Sequence, residues 1–122
     1  MDFRDHLQKI AEGVDGTLFA TLMGYDGVAV AEFQADTNGE AQIDVPSLLV
    51  EYSAVLAQIT RNASPDAGKL EELSMKSERL TTIIRPVSQE YFLALALRPE
   101  ANAGKGRYLL RINAPKIQQD LH

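Results

Sequence analysis

The stretch Tyr91–Leu97, which reads YFLALAL, is apolar at every position. Successive side chains of a β-strand point to opposite faces of the sheet, so this stretch predicts a strand that is buried on both faces. Helices packed above and below a sheet provide such cover. We therefore expect a three-layer fold in which helices enclose a central sheet.

Four further segments have the character of strands. The apolar runs TLFATLMGY and VAVAEF flank Asp26-Gly27, which predicts a two-residue type I′ hairpin, because Gly adopts positive φ freely and Asp tolerates it. Leu70–Ser77 alternates weakly, with Leu73 and Met75 on one face, as in an edge strand with one polar face. RLTTIIRPV leads through the short turn SQE into YFLALAL. Strands joined by tight turns pair antiparallel.

Three segments have the apolar period of an α-helix. The first covers Asp2–Glu12. The second covers Val45–Ala63, with Asp44 as its N-cap and Pro46 in its first turn. The third begins in NAGKGRYLL and includes Pro115, which should kink or split it because proline removes one backbone hydrogen bond.

The polar segment Gln34–Asp44 has no period and predicts a loop before the second helix. The element order is therefore helix, two strands, helix, three strands, helix. It predicts an α/β (α+β) fold in which a five-stranded antiparallel sheet lies between helices on both faces. A length of 122 residues, of which 45% are hydrophobic, fits one soluble domain over residues 1–122.

Charge is distributed unevenly along the chain. Residues 1–51 carry ten acidic and two basic side chains, whereas residues 52–122 carry seven acidic and ten basic ones. The net charge of -5 argues against nucleic acid as a partner. Lys105, Arg107, Arg111 and Lys116 form either a local basic patch or the solvated face of a helix.

Several classes of protein are disfavoured by composition. The chain contains no cysteine, which excludes disulfides, thiolate metal sites and cysteine nucleophiles. No apolar run approaches the roughly 18 residues of a membrane-spanning helix, and the amino-terminal segment is charged throughout. We expect a cytoplasmic protein without membrane insertion.

No catalytic constellation is evident. His6 lies on a polar helix face and His122 at the opposite end, so neither has a ligand partner at metal-site spacing. Gly104-Lys105-Gly106 lacks the other residues of a phosphate loop and favours a sharp turn into the last helix. Asp26 is expected to be a solvated hairpin residue. We therefore predict no catalytic residue, no metal and no cofactor.

The second helix has two apolar stripes at about 100° per residue. One stripe is predicted to face the sheet; it contains Leu48, Tyr52, Val55, Leu56 and Ile59. The opposed stripe contains Val50, Ala54 and Ala57 and ends at Arg61. Its small residues allow another helix to approach closely, which indicates a protein interface; the alternative is an ordinary exposed Ala-rich helix.

The strand Leu70–Ser77 adds to this interface. An edge strand has unpaired backbone groups, and a symmetric partner strand would cover them. We therefore predict a homodimer whose interface contains Val50, Ala54, Ala57, Arg61, Leu73 and Met75.

Nearly the whole chain resembles the Roadblock/dynein light chain family, in particular its compact bacterial, MglB-like members. The resemblance rests on the order and spacing of GYDGVAVAEF, PSLLVEYSAVLAQITR, IIRPV, YFLALAL and NAGKGRYLL. It implies a Roadblock/profilin-like sandwich that dimerises through the middle helix and the third strand. It also implies a non-enzymatic partner of small Ras-like GTPases or a subunit of a motor or signalling scaffold.

Two functions follow from the resemblance. The first is a homodimeric regulator that binds a small Ras-like GTPase and modulates its nucleotide state or GTP hydrolysis; the second is a scaffold that bridges larger proteins without sensing nucleotide. The predicted partner-binding residues lie on the second helix and are Ser47, Glu51, Gln58 and Arg61. No arginine-finger motif can be matched, so Arg61 is selected by position alone.

Overall fold

The computed structural model describes residues 2–35, 43–62 and 64–121. The elements are α1 (Phe3–Glu12), β1 (Thr17–Gly24), β2 (Ala29–Gln34), α2 (Val45–Arg61), β3 (Leu73–Lys76), β4 (Thr81–Pro86), β5 (Tyr91–Leu97) and α3 (Ala103–Asp120). The predicted element order and fold class are confirmed.

The five strands form one sheet in the order β2-β1-β5-β4-β3, and every neighbouring pair is antiparallel. The apolar strand β5 lies at the centre, and the half-exposed strands β2 and β3 form the two edges. Helices α1 and α3 pack on one face, whereas α2 packs on the other. This is the predicted three-layer arrangement.

Alternation along β5 divides the core into two layers. Leu93, Leu95 and Leu97 belong to the cluster beneath α1 and α3. Phe92 and the two alanines that follow it at alternate positions belong to the cluster beneath α2. Full burial of a side chain as large as Leu or Phe contributes about 1.5–3 kcal/mol to folding, so both layers contribute to stability.

Each helix begins at a side chain that caps its first turn. Asp2 accepts from the Asp5 amide at 2.8 Å, and Asn102 accepts from the Lys105 amide at 3.0 Å. The predicted N-cap of α2, Asp44, accepts from the Ser47 amide at 3.3 Å. These bonds satisfy amide donors that have no partner within the helix.

Several element boundaries differ from the prediction, among them those of α2 and β3. Helix α2 ends at Arg61, and its predicted last residue, Ala63, lies outside the described residues. Strand β3 is limited to Leu73–Lys76 because the residues before it do not pair with β4. Of the predicted loop Gln34–Asp44, residues 36–42 lie outside the described residues.

Of the predicted kink or split at Pro115, the split is wrong, since α3 runs unbroken from Ala103 to Asp120. Pro115 is exposed, and its neighbours Ala114 and Ile117 are buried against the sheet. Packing on both sides of the proline therefore keeps α3 continuous despite the missing hydrogen bond.

The predicted turn before α3 is also wrong, because Gly104 and Gly106 lie inside the helix. Gly106 is buried, and a Cβ atom there would lie 3.0 Å from Leu95 Cδ2 and 3.3 Å from Ile83 Cδ1. The missing side chain thus allows α3 to approach the sheet closely.

The β1–β2 connection is longer than predicted. The Gly24 amide donates to the Val28 carbonyl, and the Gly27 amide donates to the Gly24 carbonyl, both at 2.9 Å. The loop therefore contains the three residues 25–27, closed by Gly27 at φ 87°. Asp26 Oδ1 accepts from the Val28 amide at 3.0 Å, so this carboxylate stabilises the turn.

The turn also contacts α2, and paired glycine substitutions measure that contact. Gly27 and Gly68 both have positive φ. A Cβ atom at Gly27 would lie 3.2 Å from Val50 Cγ1, whereas a Cβ atom at Gly68 would have no other atom within 4 Å. Gly68→Ala should cost about 1–2 kcal/mol of unfolding free energy from backbone strain alone. Gly27→Ala should cost more because the new methyl group also presses on Val50.

Chemical denaturation of both variants checks this difference. In the Val50→Ala background, Gly27→Ala should recover part of the additional loss, whereas Gly68→Ala should be unaffected by Val50→Ala. Equal losses at the two glycines would show that the turn does not pack on α2.

Candidate protein-interaction surface

The buried stripe of α2 determines which of its residues are free for a partner. Val45, Leu49, Ser53 and Leu56 are buried. The Ser53 hydroxyl donates to the Val50 carbonyl at 2.6 Å, so its burial leaves no unsatisfied donor. The helix therefore packs on the sheet through the face that contains Leu49, Ser53 and Leu56.

Two residues predicted to face the sheet are exposed instead. Val55 is 54% exposed and Ile59 is 38% exposed. Leu48 and Tyr52, which precede them on the same flank, are half-buried against the core beneath α2. The prediction was wrong here because the buried face of the helix includes Ser53. A stripe chosen from apolar residues alone omits this serine.

The predicted dimer residues of α2 lie on the other flank. Val50 is 47% exposed, Ala54 is exposed and Ala57 is half-buried. Val50 lies beside Gly27 of the β1–β2 turn. Arg61 is exposed at the last turn of the helix.

The predicted strand residues lie at the opposite edge of the sheet from that turn. Leu73 and Met75 are half-buried and pack against the core beneath α2. The structure thus groups Leu73 with Met75, and Val50 with the two alanines, but it does not place the two groups at one edge. The interface assignment itself remains a prediction.

The predicted partner-binding residues share the outer side of α2. Ser47, Glu51, Gln58 and Arg61 are all exposed. At about 100° per residue they lie on the side of the helix away from Leu49 and the sheet. The Ser47 hydroxyl also donates to Asp44 Oδ2 at 2.7 Å, so this residue belongs to the helix cap as well.

The edge strand β3 is fixed from its polar face. Arg107 of α3 forms an ion pair with Glu72 at 3.1 Å and donates to Ser74 Oγ at 3.3 Å. Lys76 Nζ donates to the Pro99 carbonyl at 3.0 Å. Within residues 2–35, 43–62 and 64–121, β3 pairs only with β4, so its outer backbone groups face away from the sheet.

A shallow depression of about 1000 Å³ lies at the carboxyl end of α2. Its cations are Arg61, Lys69 and Arg85, and Tyr25 lies among them. The Tyr25 ring packs against Phe92 with 5.3 Å between ring centroids. Burial raises the pKa of the Tyr25 hydroxyl, because the ionised form is less well solvated there.

The described residues offer little for metal or membrane binding. They contain no group of three or more His, Cys, Asp or Glu side chains placed to hold a metal ion. His6 is buried rather than on a polar face, with Nε2 3.7 Å from Asp120 Oδ2, so the predicted position of His6 was wrong. No described helix is both long and apolar enough to cross a bilayer.

Comparison with known proteins identifies the family. The structure of MglC from Myxococcus xanthus is 43% identical in sequence, with a TM-score of 0.71, and the match covers 99% of this chain and 100% of MglC. No protein-family model matches the sequence, and none of the curated proteins matches it.

Two more distant structures share the fold. A Roadblock/LC7 domain from Streptomyces avermitilis is 14% identical, with a TM-score of 0.78, over 99% of this chain and 98% of that domain. The gliding protein MglB from Thermus thermophilus is 15% identical, with a TM-score of 0.79, over 94% of this chain and 84% of MglB. Given its identity to MglC over the full match, the chain belongs to the Roadblock/LC7 family as an MglB-like member.

Proposed function

We propose that the protein is a non-enzymatic, homodimeric regulator of a small Ras-like GTPase in the bacterial cytoplasm. The observation that carries the proposal is the apolar surface left open on the α2 side of the sheet. It consists of exposed Val55 and Ile59 on the helix and of half-buried Leu73 and Met75 on the edge strand. Family membership supports the same function.

Dimerisation would remove this surface from water. Exposed apolar side chains favour association, and a free strand edge can pair with its own copy in antiparallel register. A two-fold axis at β3 would continue the sheet from one copy to the other and bring the two α2 helices together. The ion pair between Arg107 and Glu72 would hold β3 in position for such pairing.

Matched charge substitutions distinguish the two flanks of α2. Val55→Glu with Ile59→Glu should dissociate the dimer, because breaking an interface with buried, unpaired charges costs about 3–5 kcal/mol. Ala54→Glu with Ala57→Glu tests the flank predicted from the sequence and should have the smaller effect. Sedimentation velocity measures the assembly state of each variant.

Circular dichroism is the control for folding. Both double variants should retain the wild-type spectrum. Dissociation by the Ala54 and Ala57 pair alone would place the interface on the small-residue flank. A dimer that survives both pairs would refute an interface on α2.

The proposed GTPase contact uses the outer side of α2, where Ser47, Glu51, Gln58 and Arg61 are exposed. A Ras-like protein carries its own nucleotide and catalytic groups, and its mobile loops determine the rate of hydrolysis. A partner that binds one loop conformation more tightly shifts the population toward it. The regulator therefore requires a shaped surface rather than a catalytic centre.

Nucleotide-dependent binding tests this function. A Ras-like GTPase from the same organism, loaded with GDP or with a non-hydrolysable GTP analogue, should bind the wild-type protein with different affinities. Arg61→Ala and Glu51→Lys should weaken the tighter complex by about fivefold or more, which corresponds to roughly 1 kcal/mol at an interface residue. Lys116→Ala on the opposite face of the sheet serves as the control and should bind normally.

A scaffold without nucleotide sensing is the second candidate. One MglB structure has a tetrameric arrangement, which shows that an MglB protein can form a higher assembly. Under this function, isothermal titration calorimetry would show equal affinity for both nucleotide states, and GTP hydrolysis would be unchanged by the protein. That result would refute the regulator and favour the scaffold.

A further inference from the structure

The second edge of the sheet has a different chemistry from β3. Among the described residues, strand β2 pairs only with β1, so its outer backbone groups have no strand partner there. Val28 is 63% exposed and Val30 is 43% exposed along this edge. Val50 of α2, 47% exposed, lies beside Gly27 where the edge begins. Exposed apolar side chains therefore lie along the unpaired edge of β2.

The chain segment that contains this edge carries charges of one sign. Residues 10–60 contain no lysine, arginine or histidine but eight acidic side chains. Asp26, Glu32 and Glu51 are exposed next to the three valines in sequence. The cation that packs on β2 is Arg4, whose guanidinium lies over the Phe33 ring at 5.3 Å, on the side covered by α1.

These features select the kind of segment that can pair with β2. A second copy pairing through its own β2 would bring two acidic edges together, with Glu32 as the charged residue of each strand and no basic residue in either β2 to compensate it. A basic segment would instead place ammonium or guanidinium groups near Glu32 and Asp26, and its small apolar side chains would cover the valines. An extended peptide that adds a strand to an open edge gains main-chain hydrogen bonds in addition.

We propose that the β2 edge, together with Val28, Val30 and Val50, is a docking site for an extended basic segment of a partner protein. The site is separate from the proposed dimer edge at β3, and its occupation does not depend on the proposed function. Strand β2 also has a bulge, because Ala29 pairs with Met23 and Ala31 pairs with Leu22. Two residues of β2 thus correspond to one residue of β1. Such a bulge limits how long a pairing strand can be, which favours a short segment.

A designed peptide tests the proposal on the full chain. The probe is an acetylated, amidated peptide of alternating lysine and valine, eight residues long. The control peptide has the same charge but proline in place of valine, which removes every second backbone N–H donor and disfavours pairing as a strand. NMR titration of the isotope-labelled protein should show amide shifts within residues 28–34 for the first peptide, at least about tenfold weaker binding for the second, and no preference for β3.

Two charge reversals complete the test. Glu32→Lys at the β2 edge should weaken binding by about fivefold or more, because it replaces an exposed attraction by a repulsion of similar size. Glu78→Lys, which makes the same change in charge near β3, should leave the affinity unchanged. Equal binding of the two peptides would mean electrostatic attraction only, and shifts at β3 or an equal effect of both reversals would also overturn the proposal.

Pairing of β2 with a second copy is a further outcome with a separate readout. If Glu32→Lys changes the assembly state without any peptide, the edge is a contact between copies and the proposed docking site is refuted. If the wild-type protein binds the peptide but does not bind the GTPase, only the proposed function is refuted.

Discussion

The two faces of β5 pack into different core layers, with Leu93 and Leu95 beneath α1 and α3, and Phe92 beneath α2. Because both faces are apolar, this strand has to lie inside the sheet and needs helices above and below it. Strands with a polar face then occupy the edges. The position of β2 and β3, and hence of the two open edges, follows from the requirement to bury β5.

The two faces are covered unequally. Two helices pack on one face, whereas α2 is the one described helix on the other face, where Ile43 and Leu70 pack beside it. A single helix cannot cover a five-stranded sheet, since strands lie about 4.8 Å apart and a helix is about 10 Å wide. Apolar side chains on this face are therefore left partly or fully exposed. They include Val50, Val55 and Ile59 on α2, which are exposed, and Met75 on β3, which is half-buried. The exposed apolar surface on this side therefore arises from the architecture itself.

The sequence predicted what depends on periodicity and local chemistry. YFLALAL identified the central strand, and Asp44 was recognised as a cap because capping requires only a side chain three residues before an open amide. It failed where tertiary packing decides. Pro115 does not break α3, because buried neighbours hold the helix on the sheet. Gly106 looked like a turn residue, although its function is close contact with Leu95.

The candidate site shows the same division. Exposure of Ser47 and Gln58 follows from the helical period, whereas their part in binding a partner stays a prediction. The rotation of α2 was not predictable from apolar residues alone, because buried Ser53 satisfies its hydroxyl within the helix and so behaves as a small core residue. Moving the centre of the stripe to Leu49, with Leu56 on one side of it and Ser53 on the other, turns Val55 and Ile59 outward. The satisfied hydroxyl of Ser53 thus helps to determine which flank of the helix is exposed.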